Sequence, residues 1–113
     1  MNKASLADNI QYGEQKPDIK LLFESDSTKE IRIVFRKGQL MKEHKTGFPI
    51  TVEIFEGAID FGVAGNISHL VKGDIVSLEA GTPHDLHAVT DSIVRLSLSK
   101  SDTVQRVKSV LEK

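Results

Sequence analysis

Four histidines, His44, His69, His84 and His87, are the residues of this chain with the clearest potential for chemistry. Imidazole binds metal ions and exchanges protons near neutral pH, so histidines that share surroundings are candidates for a metal centre or a general base. Cysteine is absent, which excludes disulfides and thiolate ligands. No serine–histidine–acid arrangement rises above chance, and no glycine-rich phosphate loop precedes a helix. Nucleophilic catalysis and nucleotide chemistry are therefore not predicted.

Two of these histidines occupy distinctive local contexts. His44 lies within GQLMKEHKTGFPITVEIFEG, residues 38–57, a segment bounded by glycines that runs into a strand pattern. His84 follows Gly81-Thr-Pro83, where proline restricts its own φ and favours an extended conformation for Thr82. A stiff approach of this kind fixes the direction of the His84 ring.

The segments around these histidines have the pattern of β-strands. DIKLLFE, EIRIVFR, ITVEIFE and SIVRLSLS each place apolar residues at every second position. Ile50, Val52 and Ile54 share one face of the third segment. Phe55 falls on its opposite face, and Arg32 likewise falls opposite the apolar face of the second segment. This period is typical of half-buried antiparallel strands.

Turns separate these segments at short intervals. Turn signals that contain glycine recur about every eight to ten residues from Gly38 to Gly81. Many short strands joined by frequent turns predict an all-β fold, either a sandwich or a small barrel. Within it, GVAGNISHLVKG predicts a hairpin turned at Gly65-Asn66, where the backbone adopts positive φ readily.

The single helical pattern lies near the C-terminus, at about residues 102–112. Val104, Val107 and Leu111 recur at helical spacing, and Asp102 with Gln105 forms a capping box. We predict a short terminal helix docked on the outside of the barrel. Exchange of this helix between subunits is the alternative.

Length and composition limit the function further. A chain of 113 residues has room for one domain, predicted over 1–113 with the barrel at about 17–98. A net charge of −1 without a basic run argues against a nucleic-acid partner. No apolar stretch approaches a signal peptide core or a membrane span, so no membrane association is predicted. The absence of cysteine agrees with a reducing compartment, and we expect a cytoplasmic protein.

The spacing of glycines and histidines resembles the two motifs of small single-domain cupins of the conserved-barrel type, over about residues 30–98. In the first motif, G-x5-H-x-H-x3-4-E-x6-G, the matching residues are Gly38, His44 and Gly57. Thr46 stands at the second histidine and Ile50 at the glutamate. In the second motif, G-x5-P-x-G-x2-H-x3-N, the matching residues are Gly73, Gly81 and His84, with Glu79 and Ala88 at the proline and the asparagine.

The resemblance implies a cupin-type antiparallel β-barrel, a double-sheet jelly roll, with the His84 ring directed into its mouth. A typical metal site of that family comprises three imidazoles and one carboxylate on Fe, Mn, Ni or Zn. This chain keeps His44 and His84, whereas the hydroxyl of Thr46 is a poor ligand and Ile50 is none. No firmly held cofactor is therefore predicted. A divalent transition metal (Ni, Zn, Fe or Mn) bound weakly by His44 and His84 is the alternative.

Neighbouring titratable residues do not restore the missing ligands. His87 lies three residues after His84 on an extended strand, so its ring should point to the opposite face. The carboxylates of Glu43, Glu53 and Asp85 should also point away from the barrel interior, because each occupies a position of the opposite parity to an inward-facing residue. His69 lies in the hairpin between the two motifs and is expected at the surface. The residues considered and set aside are Glu43, Glu53, His69, Asp85 and His87.

The substituted positions favour recognition of a small molecule. An apolar cavity with a few convergent polar groups is the usual composition of a ligand pocket. The predicted pocket residues are Met41, His44, Thr46, Ile50 and His84. One alternative is a metal-dependent cupin enzyme, an isomerase or a dioxygenase, using His44 and His84. The other is an inert structural or regulatory interaction barrel. A homodimer is expected, with outward-facing Phe55 at or near the subunit contact.

Overall fold

The computed structural model describes residues 1–100 of the chain, over which nine β-strands form two antiparallel sheets. The strands are β1 (Asp18–Glu24), β2 (Thr28–Phe35), β3 (Leu40–His44), β4 (Ile50–Glu56), β5 (Ala58–Val63), β6 (Asn66–Val71), β7 (Ile75–Leu78), β8 (His84–Ala88) and β9 (Ser92–Ser99). The strand order is β1-β2-β9-β4-β7 in the larger sheet and β3-β8-β5-β6 in the smaller one. The predicted all-β, double-sheet fold is confirmed.

The hydrophobic core lies between the two sheets. Ile50, Val52 and Ile54 are buried in it, as their alternation along β4 predicts. Each sheet contributes alternate residues to this layer, because successive side chains of a strand point to opposite faces. The other buried core residues are Ile33, Phe35, Ile59, Phe61, Leu70, Leu86, Ala88 and Val94.

The β5–β6 hairpin turns one residue earlier than predicted. Val63 pairs with Asn66, so the two-residue loop is Ala64-Gly65 and Asn66 begins the next strand. Both loop residues have positive φ, 52° for Ala64 and 80° for Gly65. Positive φ at both central residues gives the backbone twist that suits a two-residue hairpin. The prediction of a turn at Gly65-Asn66 was therefore wrong in register.

Residues 1–17, the N-terminal arm, interact with the outer face of the larger sheet. The Arg32 guanidinium donates to the main-chain oxygens of Ser5 (3.3 Å), Asp8 (2.8 Å) and Asn9 (3.3 Å). Arg32 is only 1% exposed, although its side of β2 faces away from the core. Its direction follows the alternation, but its burial comes from these arm contacts.

A second arginine on that face is held by carboxylates. Arg95 donates from Nε to Glu53 (2.7 Å) and from Nη1 to Glu30 (3.0 Å) and to the Ser97 hydroxyl (2.8 Å). The hydrogen bond to Glu53 is the main cause that raises the pKa of Arg95 above its usual value. Glu53 therefore faces outward, as its position on β4 predicts.

The predicted helix at about 102–112 lies outside the described residues. Within residues 1–100, no helix has the length and apolar character needed to cross a membrane.

Candidate functional site

His84 is positioned at the start of β8, with its side chain inside the barrel. Its Nδ1 lies 2.9 Å from the main-chain oxygen of Thr82 in the stiff segment before the strand. Its ring stacks on Phe61, with centroids 5.7 Å apart and planes at 17°. His84 is 3% exposed. The inward direction that the cupin resemblance implies for this ring agrees with its position in the structure.

His44 meets His84 because β3 is irregular. The register between β3 and β8 shifts between Met41 and His44, and this shift makes His44 the cross-strand partner of His84. The ring centroids are 4.4 Å apart with planes at 56°. Nδ1 of His44 lies 2.8 Å from the main-chain oxygen of Lys42. Two histidines forty residues apart are thus adjacent at the end of one strand pair.

The hydrogen bonds of the two rings define their chemistry. A carbonyl oxygen only accepts, so Nδ1 of each ring must carry the proton it donates. In the neutral rings, Nε2 of His44 and of His84 is then left as a hydrogen-bond acceptor or metal ligand. Two such acceptors in one apolar pocket attract a hydrogen-bond donor or a cation.

The cavity between these rings is small. Its volume is about 20 Å³, which accommodates one water molecule and no larger ligand. Apart from the two imidazoles, its walls are apolar. The lining residues are Ile33, Met41, His44, Val52, His84, Leu86, Val94 and Leu96.

Three of the five predicted pocket residues, Met41, His44 and His84, are brought together here. Thr46 and Ile50 do not line this cavity. Thr46 lies in the loop after β3, where its hydroxyl donates to the Phe48 main-chain oxygen at 2.7 Å. Ile50 begins β4 and packs in the core beside a larger cleft of about 510 Å³. Motif spacing alone did not show that neither residue would border the cavity, since Thr46 lies in the loop after β3 and Ile50 at the start of β4.

The larger cleft was not predicted from the sequence. Its lining is rich in hydroxyls, and the residues are Thr28, Pro49, Ile50, Thr51, Ser77, Leu78, Glu79, Ser97 and Ser99. The register aligns many of these hydroxyls, since Thr51 pairs with Ser77 on one side and with Ser97 on the other. The alternating Ser97 and Ser99 of SIVRLSLS were a sequence signal for this face.

The remaining histidines lie on the outer face of the smaller sheet. His69 contacts the Asp60 carboxylate through Nδ1, and His87 is exposed on β8. The outward direction of His87 agrees with the prediction from parity, and His69 lies at the surface as expected. Over the described residues 1–100, no three histidine, aspartate or glutamate side chains are arranged around a common point as a preformed metal site.

Comparison with known proteins identifies the fold. No model of a known protein family matches the chain, and no curated protein matches it. An RmlC-like cupin protein from Desulfovibrio desulfuricans superposes with a TM-score of 0.81 at 24% identity, covering 88% of this chain and 96% of that one. The SPY1581 protein of Streptococcus pyogenes gives 0.76 at 19% identity, with 89% of each chain covered.

A third solved structure, KdgF from Halomonas sp., gives a TM-score of 0.74 at 20% identity, covering 84% of this chain and 88% of that one. At such identities the likeness concerns the fold. The architecture and these superpositions together show a cupin fold. The predicted resemblance to small single-domain cupins is therefore confirmed at the level of the fold.

Proposed function

We propose that this chain is a non-catalytic binding barrel, in which His44 and His84 recognise a hydrogen-bond donor group of a small, partly polar molecule. The main support is the arrangement of the two rings. Nδ1 of each is paired with a main-chain oxygen, and both rings line one apolar cavity. Such a pair favours a ligand group with two or more donor hydrogens, such as an ammonium or an NH₂ group, because each Nε2 atom accepts one hydrogen bond.

Entry of a ligand requires a change in the cavity wall. At about 20 Å³ the cavity admits a donor group but not the body of a molecule. Met41 is the most adaptable wall residue, because it is half-buried on the edge strand β3 and its unbranched side chain has several rotamers. The proposal therefore includes displacement of the Met41 side chain when a ligand binds.

Native mass spectrometry of the purified chain, followed by ligand-observed NMR with fragments that carry N–H or O–H donors, tests this function. The Met41→Ala variant should bind such fragments more tightly than the wild type. His44→Ala should lose binding, whereas His87→Ala, which removes a histidine on the opposite face of the smaller sheet, should keep it. If fragments still bind the His44→Ala variant, the proposed site at His44 and His84 is wrong. Failure of both the wild type and Met41→Ala to bind any fragment would favour the inert interaction barrel.

A metal-dependent cupin enzyme is the second candidate. Carbonyl-held Nδ1 atoms with free Nε2 atoms are also the arrangement of imidazoles that ligate metals. Two imidazoles alone leave most of the coordination sphere to water, so weak binding is expected. Under this candidate, Ni²⁺ or Zn²⁺ raises the melting temperature of the chain, and His44→Ala abolishes the rise while His69→Ala does not.

We further propose that the chain acts as a cytoplasmic homodimer. Phe55, the predicted contact, lies half-buried at a bulge of β4. Ile19 and Leu21 on the edge strand β1 are more open, 58% and 51% exposed. Light scattering should find a dimer that Leu21→Ser dissociates more readily than Phe55→Ser does. A monomer at high micromolar concentration would contradict the proposal, and a dimer disrupted only by Phe55→Ser would place the contact on the β4 face.

A further inference from the structure

A row of hydroxyls crosses the outer face of the larger sheet. Ser77 on β7, Thr51 on β4 and Ser97 on β9 are cross-strand partners in this row. Their side chains point away from the core, because Ile50 and Val52, on either side of Thr51 along β4, are buried in it. Neighbouring strands lie about 4.8 Å apart, so the three hydroxyls follow one another at nearly regular intervals. All three residues line the larger cleft of about 510 Å³.

The hydroxyls of this row differ in what they already bind. The Ser97 hydroxyl accepts a hydrogen bond from Arg95 and donates one to Glu30, and these contacts fix its direction. Within residues 1–100, the hydroxyls of Thr51 and Ser77 make no hydrogen bond to another protein group. A hydroxyl donates one hydrogen bond and accepts up to two. Thr51 and Ser77 therefore keep their full hydrogen-bonding capacity for a ligand in the cleft.

The charge of the cleft limits the kind of ligand. Among its lining residues in the described part of the chain, Glu79 alone is charged. Glu79 is exposed directly after β7, two residues beyond Ser77. Arg95, which contacts Ser97, is already paired with the carboxylates of Glu30 and Glu53. The cleft thus offers a carboxylate acceptor and no unpaired cation among these residues, which disfavours phosphate, carboxylate and other anionic ligands.

We propose that this cleft binds a neutral carbohydrate of one or two sugar rings. Sugar hydroxyls both donate and accept hydrogen bonds, so they match the hydroxyls of Thr51 and Ser77. The Glu79 carboxylate accepts hydrogen bonds from two neighbouring sugar hydroxyls. A volume of about 510 Å³ also lies within the usual range of small-molecule sites, about 300–1,000 Å³.

Apolar residues complete this match. Pro49, Ile50 and Leu78 line the cleft beside the hydroxyl row, toward the beginning of β4. A sugar ring has C–H groups that pack on such a surface while its hydroxyls bind the row. A wholly apolar ligand would instead leave the hydroxyls of Thr51 and Ser77 without partners, which costs free energy. The combination of hydroxyls, one carboxylate and a short apolar wall therefore favours a carbohydrate.

This site is independent of the function proposed for the barrel interior. The His44–His84 cavity lies between the two sheets, whereas Thr51 and Ser77 are on the outer face of the larger one. Either proposal can fail without the other. The positions of the residues that respond to a ligand distinguish the two sites.

NMR titration of the full-length, ¹⁵N-labelled chain with maltose, cellobiose and lactose tests the proposal. At least one sugar should shift the amides of Thr51, Ser77 and Glu79 in a saturable manner. Thr51→Val, which keeps the side-chain shape, and Ser77→Ala should each weaken binding about two- to tenfold, the effect of one hydrogen bond. Glu79→Ala should weaken binding about tenfold, because hydrogen bonds to a charged group are stronger. Ser68→Ala removes an exposed serine on β6 of the smaller sheet and should leave binding unchanged.

Three outcomes would overturn the proposal. The first is the absence of saturable shifts with every neutral sugar at tens of millimolar. The second is binding that the Thr51→Val, Ser77→Ala double variant retains in full, or shifts that centre on His44 and His84, which would place the sugar in the barrel. The third comes from a comparison of glucose with glucosamine and glucuronate. Binding of glucosamine alone would assign the cleft to ammonium compounds, and tighter binding of glucuronate than of glucose would contradict the role of Glu79.

Discussion

Substitution of Arg32 by alanine should detach the N-terminal arm while the barrel stays folded. The guanidinium holds three main-chain oxygens of the arm, with donor–acceptor distances of 2.8, 3.3 and 3.3 Å. Only the bond to Asp8 lies within the usual range for N–H···O contacts. The Nε atom of Arg32 has no hydrogen-bond partner within the described part of the chain. Arg32 is thus the main polar anchor of the arm, but an incompletely satisfied one.

The magnitude follows from the one short bond. A hydrogen bond to a charged group contributes about 1.5–3 kcal/mol, so its loss should favour arm opening by about 2 kcal/mol. That value corresponds to an approximately 30-fold larger open population, since about 1.4 kcal/mol is tenfold. Loss of the two longer bonds adds to this effect. Removing the buried guanidinium also removes the cost of burying its charge, which favours the folded state. The free energy of global unfolding should therefore change less than the free energy of arm opening.

Hydrogen exchange with peptide-level mass spectrometry measures arm opening and the stability of the barrel in one experiment. Arm amides should exchange about 30-fold faster in Arg32→Ala, with β4 amides close to the wild type. Arg36→Ala is the comparator, because Arg36 lies over the Tyr12 ring of the same arm at 3.8 Å. Loss of that exposed cation–π contact, about 0.5–1 kcal/mol, should accelerate exchange only about two- to fivefold. Arm exchange within threefold of the wild type in Arg32→Ala would refute the anchoring role.

Three further predictions concern the fold. Ile54→Ala should lower the free energy of unfolding by about 2–5 kcal/mol in chemical denaturation, because Ile54 is fully buried in the core. Gly57→Ala should lower the free energy of unfolding more than Gly65→Ala in the same assay. Both glycines have positive φ, so alanine is strained at either position. Only at Gly57 would the added Cβ also clash with backbone, because it would lie 2.4 Å from the Asp91 main-chain oxygen. Lys100→Met should remove a pH-dependent stabilisation, since the hydrogen bond from Lys100 lowers the pKa of Glu24 below 4.5. A lowered carboxylate pKa stabilises above the unfolded-state value and loses its effect as the pH falls through the folded-state value. Wild type and Lys100→Met should therefore converge in stability in acid, and a gap that persists at pH 2 would contradict this assignment.

Local backbone geometry explains which predictions from sequence were correct. Side chains of an extended strand alternate between two faces whatever the strand packs against. The inward faces of Ile50, Val52 and Ile54, and the outward direction of Glu53 and His87, could therefore be predicted without knowledge of the fold. The cupin fold was predicted from this alternation together with the resemblance of the glycine and histidine spacing to the two cupin motifs.

Contacts between distant segments determined the features that the sequence did not predict. Alternation predicted the direction of Arg32, but its burial depends on an arm that precedes it by more than twenty residues. His44 reaches His84 because of a register shift in β3, and period-two reasoning does not anticipate such an irregularity. Thr46 satisfies its hydroxyl within its own loop, so a motif position did not become a pocket residue.

Asp60, which pairs with His69 on β6 and with His87 on β8, illustrates the same contrast between local geometry and long-range pairing. Alternation alone places each side chain on the outside of its strand. Their adjacency requires β5 to lie between β8 and β6, an order set by the packing of the whole barrel. The direction of a side chain follows from the local geometry of a strand and is readable in the sequence. Which side chains become neighbours depends on strand order and register, and these are determined only when distant segments pair and bury a common core.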